Sequence, residues 1–144
     1  MRLVRLGHGS KWTVYAATQA NGSCPVLDLI ESLDAKRGAK VLSDLQQFVP
    51  NSTPQDWVRM EFSWQLEGCD SILEFRWSTS KGGTPRILWF YDRGNVVICT
   101  HGVNKKGSLS NDELQRAENT RATYIAARDA RRLEIRDFTD FENE

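Results

Sequence analysis

A chain of 144 residues can build one hydrophobic core without disulfide or metal staples, and its composition is that of a globular protein, with no excess of Pro, Gly or low-complexity sequence. The opening MRLVRLGHGSKW lacks an apolar core long enough for a secretory leader, and no later run could span a bilayer, so membrane classes are excluded and a cytoplasmic location is expected. Net charge is zero, yet unevenly spread: residues 76–106 hold six Lys/Arg against Asp92 alone, whereas residues 1–75 and 107–144 are each net acidic. A basic island between acidic flanks is where an anionic partner docks.

Residues 1–10 read as a polar, Gly-containing lead-in. KWTVYAAT, 11–18, is the first predicted strand. Asn21-Gly22-Ser23 forms a turn, and Pro25 suits the first position of a helix whose Val26, Leu29, Ile30 and Leu33 share one stripe. Asp34 is the expected N-cap of a second helix running to about Val49, ended by Pro50 and Pro54. Two amphipathic helices with almost no linker make an αα-hairpin able to cover a sheet.

From Arg59 the apolar period changes to two. Met60, Phe62, Trp64 and Leu66 alternate along a strand, Gly68-Cys69-Asp70 is a turn, and ILEFRW, 72–77, is a second strand with Glu74 and Arg76 on one face. The loop 78–85 carries Lys81. Ile87–Tyr91 and Val96–Cys99, separated by Asp92-Arg93-Gly94-Asn95, then read as a β-hairpin. The expected fold is α+β: a twisted antiparallel sheet of four to five strands packed by the N-terminal helix pair. Ser110-Asn111-Asp112-Glu113 matches a capping box and opens a closing helix with only a thin apolar stripe, whose packing a partner protein could complete. One domain, 1–136, is expected, followed by an acidic tail, 137–144. Phe138 and Phe141 could anchor that tail against the basic island. Cys24, Cys69 and Cys99 are odd in number and far apart, which favours buried reduced thiols over a disulfide framework or a zinc site.

The hairpin brings its outer ends together, so Arg86 at one end neighbours His101, Lys105 and Lys106 at the other. This makes a cluster of guanidinium, imidazole and ammonium groups on a rigid sheet, suited to a phosphate. The order helix pair, meander, basic strand ends and closing helix, with LEG-x4-LEFRW, PRILWFYDRGNVVICTHGVNKK and DELQRAENTR, resembles the HigB-like branch of the RelE/ParE type II toxin superfamily over roughly residues 11–128. The resemblance implies a RelE-like fold and metal-free, ribosome-associated cleavage of mRNA without a cofactor. It also implies neutralisation by a cognate antitoxin, a helix-turn-helix protein held in a hetero-oligomer. By position it points to Arg76, Arg86 and Lys105, with Lys106 and His101 nearby. The chain departs from that pattern in its neutral overall charge and in Gly107-Ser108-Leu109-Ser110 after the lysine pair.

Metal-free RNA cleavage needs a base for the 2′-hydroxyl, cations for the phosphorane and an acid for the departing 5′-oxygen. Arg76 and Arg86 suit the phosphorane, because guanidinium bridges two phosphate oxygens. The structural alternatives are an ion pair of Arg76 with Glu74 and a solvated strand end for Arg86. His101 could be base or acid, or a packing residue. Lys81, Lys105 and Lys106 suit substrate binding. Glu74 could act as a base or orient Arg76, and Tyr91 could stack on a base or serve the core. Two other readings share the fold: a toxin that blocks a protein target such as gyrase, and a module that binds RNA without cutting it.

Overall fold

Seven strands make one mixed sheet, and helices cover both of its faces. The computed structural model describes residues 1–66, 69, 71–78 and 83–142. In chain order these residues form β1 (Arg2–His8), β2 (Thr13–Ala17), α1 (Pro25–Ser32), α2 (Ala35–Ser43), α3 (Pro54–Arg59), β3 (Ser63–Gln65), β4 (Leu73–Arg76), β5 (Thr84–Asp92), β6 (Val96–Lys105), α4 (Asn111–Asp129), β7 (Glu134–Asp137) and α5 (Phe138–Glu142). The sheet order is β3-β4-β5-β6-β2-β1-β7. β3 to β6 form the expected antiparallel meander, while β2 lies parallel to β6 and β7 parallel to β1. The class is α+β as expected. The sheet is larger than the four to five antiparallel strands read from the sequence.

Several corrections have identifiable causes. The lead-in is strand β1, buried between β2 and β7. Its Leu3 faces one core and its Val4 and Leu6 the other. Two arginines and a register shift between Arg5 and Gly7 hide that alternation in the sequence. Beyond Ser43 the second helix widens into a π-helical turn, Asp44–Phe48, and tightens into a 3-10 turn at Val49–Asn51. α3 was not expected; Thr53 caps it reciprocally with Asp56, and Pro54 starts it. Residues 60–66 supply only a three-residue strand.

β4 to β6 are buried on both faces, which is why their apolar runs read as nearly continuous. Phe75, Ile87, Trp89 and Val97 face the helices α1 to α3 through Val26, Leu29, Val41 and Trp57. Phe75 stacks between Phe62 and Trp89, with ring centroids 4.6 and 4.5 Å away. On the other side Leu88, Phe90 and Ile98 meet Ala117 and Tyr124 of α4. Ser110 and Glu113 form the capping box that starts α4. Its other end is held to the hairpin by Asp92, which accepts hydrogen bonds from the Tyr124 hydroxyl and from Arg128 Nη1 at 2.6 Å. Burial opposes charge on Asp92, but these donors and the Arg93 backbone keep its carboxyl below the usual range. Cys24, Cys69 and Cys99 are buried free thiols. No described helix is long and apolar enough to cross a membrane.

As far as Glu142, the C-terminal segment does not lie on the basic island. β7 pairs with β1 at the sheet edge opposite β3, Asp137 accepts from Arg5 at 2.9 Å, and Phe138 and Phe141 pack against the helix-side core.

α1 approaches β6 so closely that a Cβ on Gly102 would sit 2.3 Å from Leu29 Cδ2 and 3.1 Å from the Arg86 carbonyl. Gly102→Ala is expected to cost about 1–3 kcal/mol by overpacking, read as a lower urea midpoint at unchanged slope.

Candidate functional site

β-Pairing decides which charged side chains meet. Along β4, Glu74 and Arg76 point to the α4 side of the sheet, because Phe75 between them belongs to the helix-side core. Arg76 stands directly opposite Arg86 on β5, and Arg86 opposite Val103 on β6. One step along, Trp64, Glu74, Leu88 and His101 form a cross-strand row; Thr84 and Lys105 form another. Arg76, Arg86, His101 and Lys105 therefore share one face of three neighbouring strands.

Two guanidinium groups placed opposite each other repel, and Glu74 lies between them. Its side chain has 0% exposure. Glu74 Oε1 accepts from Arg76 Nε at 2.7 Å, and Arg86 Nε lies 3.4 Å from the same oxygen without hydrogen-bond alignment. Arg76 thus makes the ion pair foreseen as its structural alternative, but shares it with a second arginine. Arg86 is not a solvated strand end, being only 8% exposed. The Arg76 guanidinium also lies 4.3 Å over the indole of Trp64, a cation–π contact that holds the group flat at the sheet edge.

Arg76, Arg86 and Trp64 line an open groove of about 550 Å³, whose rim includes Lys40, Asp44, Glu61, Ser78 and Thr84. Its aromatic wall and paired cations can hold a nucleobase and a phosphate side by side. Of the groove, the sequence reading had found only the arginines. In the sequence Trp64 shares one alternating strand face with Met60, Phe62 and Leu66. Phe62 enters the helix-side core, whereas Trp64, in the middle of β3, lies against Arg76. Lys40 and Thr84 carried no distinguishing signal.

The remaining candidates separate. His101 is 1% exposed, with Nδ1 3.1 Å from Thr100 Oγ1 and Nε2 without a partner among the described residues. Burial, reinforced by Arg116 of α4, pushes its pKa down to about 4, so the ring is neutral at pH 7. It can accept a proton but does not reach the groove in this arrangement. Lys105 Nζ is 3.6 Å from Glu113 in the first turn of α4. Lys106 is exposed beyond the strand end, and Lys81 lies outside the described residues. Tyr91 is on the opposite face, near the turn, packed against Trp12 and Trp89, so it does not join the arginines. Among the described residues no group of three or more His, Cys, Asp and Glu side chains could hold a metal ion.

A family model described as phage derived protein Gp49-like (DUF891) matches residues 28–124, which runs from α1 into α4 and contains every groove residue named above. No curated protein matches the chain.

Removing the carboxylate leaves Arg86, buried, facing the half-buried Arg76 with no anion between them. Glu74→Ala is therefore expected to cost about 3–5 kcal/mol, read in equilibrium unfolding. A loss below that of an exposed alanine substitution would show that Glu74 does not hold the pair. His101 supplies a pH signature. Its pKa is lower in the folded chain, so stability is undiminished above about pH 6.5 and falls as the pH drops toward 4. The loss is on the order of 3 kcal/mol. In His101→Gln that part of the pH dependence should vanish, whereas carboxylate effects below pH 4 should stay.

Proposed function

The chain belongs to the phage-derived Gp49-like family, which falls broadly within the RelE/HigB-type toxins, and from that premise we propose that it is the toxin of a type II toxin–antitoxin pair, in the HigB-like branch, cleaving mRNA on the ribosome in the cytoplasm. The observation that carries the reading is the pairing of Arg76 with Arg86 at one register position, lining one groove, with a single carboxylate between them. A scissile phosphate seated there meets two forked donors, and Trp64 offers a face for the adjoining base. Attack of the 2′-oxygen on phosphorus makes a pentacoordinate phosphorane whose added negative charge the guanidinium pair stabilises. Collapse expels the 5′-oxygen and leaves a cyclic phosphate, one proton having left the 2′-hydroxyl and one having joined the leaving oxygen. The ribosome would hold the strand in line, and the antitoxin, a small helix-turn-helix protein, would neutralise the toxin in a hetero-oligomer.

One observation favours a second reading, in which the groove binds RNA or a protein target such as gyrase without cutting. Both groups considered for proton transfer, His101 and Glu74, are engaged: His101 is buried and Glu74 is buried in its ion pair with Arg76.

Induced expression followed by mapping of 5′ ends on cellular mRNA separates the two. Cleavage at codon boundaries is expected, with Arg76→Ala and Arg86→Ala each lowering it by about 10²–10³-fold while antitoxin binding persists. Growth inhibition without new 5′ ends would sink the nuclease and favour the protein-target reading.

A further inference from the structure

Beside the arginine groove lies a second depression of about 410 Å³. The two share Lys40, Trp77 and Ser78 as their common wall. The floor of the second is apolar, built by Val41, Trp77 and Pro85, and its rim is basic, built by Lys36, Arg37 and Lys40 of α2. Two acids stand close by, and both are engaged. Asp34 caps α2 by accepting from the Arg37 backbone at 2.9 Å. Asp44 takes Lys40 Nζ at 3.0 Å and Trp77 Nε1 at 2.9 Å. Arg37 is a fixed part of the wall, since its Nη2 donates to the Gly83 carbonyl at 3.1 Å. Lys36 makes no ion pair among the described residues and is exposed.

We propose that this depression is a second nucleotide subsite, continuing the path of a single RNA strand from Arg76 and Arg86 along α2. The inference rests on the nuclease reading for the identity of the ligand, and on the adjacency of the two depressions across Lys40, Trp77 and Ser78 for its course. Lys36 and Lys40 stand four residues apart on α2. They are therefore neighbours on one helix face, separated by about 6 Å along the axis, commensurate with successive phosphates of one strand. An apolar, indole-bearing floor under a basic rim is the combination that holds single strands without regard to sequence: bases lie against the floor and phosphates meet the lysines. The groove is too narrow in cations for a duplex, whose two phosphate rows would need a second basic line. Among the described residues no such line faces α2 across the depression, where Pro85 and Trp77 stand.

The test uses the full chain and a 2′-O-methylated single-stranded RNA, which cannot be cut through its 2′-oxygen. Binding is titrated over a range of potassium chloride concentrations. Lys36→Ala and Lys40→Ala are each expected to weaken binding several-fold and to lower the magnitude of the log–log salt slope by about 0.7. Lys36→Glu is expected to weaken it further. Lys36 takes no part in the core, so the Lys36 variants should keep the wild-type melting temperature, and they decide the matter if Lys40→Ala disturbs Asp44. Unchanged affinity and slope in Lys36→Ala and Lys36→Glu would overturn the subsite. If Arg86→Ala still abolished mRNA cleavage, the nuclease reading would stand without it. Conversely, a reduced slope in the lysine variants, with cleavage untouched by either arginine substitution, would keep the subsite and remove the nuclease. An acidic peptide that binds as tightly as the RNA, with the same dependence on Lys36, would also overturn the assignment to a nucleotide.

Discussion

One buried carboxylate makes the basic face of this sheet possible. Arg76 and Arg86 are brought opposite each other by the β4–β5 register, and without Glu74 their charges would push the two strands apart. With it, the local balance is two guanidinium groups to one carboxylate, Glu74 and Arg86 being buried and Arg76 reaching the open groove. The surplus positive charge cannot be relieved by rotating the side chains into solvent. Arg86 is walled in, and Arg76 is pinned between Glu74 and the Trp64 indole. A site held this way is ready for an anion before the anion arrives, so little side-chain entropy remains to be lost on binding.

The surrounding elements can be understood by what they do to this face. α3 and the aromatic stack Phe62–Phe75–Trp89 stiffen the sheet from behind, so β3 and β4 present Trp64 and Arg76 from a rigid edge. α4 covers the other end of the same face. It is polar along most of its length, with Ala117 and Tyr124 its only buried residues. Its apolar contacts are supplemented by charge at both ends: Asp92 binds its last turns, and Glu113 meets Lys105 at its first. Under that first turn lies His101, neutral and unpartnered at Nε2. The helix thus partitions the basic island into an open part, the arginine groove, and a covered part, His101 with Lys105.

The strands outside the family-matched stretch extend the sheet away from the groove. β1 and β7, with α5, lie on the far side of β2, and the acidic residues of the C-terminal segment are engaged there, Asp137 with Arg5. Net neutrality of the chain is compatible with a basic site, because part of the compensating acid lies on the far edge of the sheet, where Asp137 pairs with Arg5.

Local pattern alone determined the αα-hairpin with Asp34 as a cap, the four-strand meander, the β5–β6 hairpin that gathers Arg86, His101 and Lys105, and the capping box of α4. Each depends on periodicity or on side-chain-to-backbone bonds within a few residues. Tertiary structure decided the rest. β1 and β7 exist because a parallel partner satisfies their backbone groups, and no local signal announces a partner that is 132 residues away, as Arg2 is from Glu134. Whether Arg86 was solvated or buried, and whether His101 was a free base or a shielded one, depended on what α4 and β4 placed over them. Trp64 lies against Arg76 and not with Phe62 in the helix-side core, a parting that their shared alternation does not announce. Burial and charge pairing are sums over neighbours from the whole chain, so the residue types of this site could be read in a line of letters, but their chemical state could not.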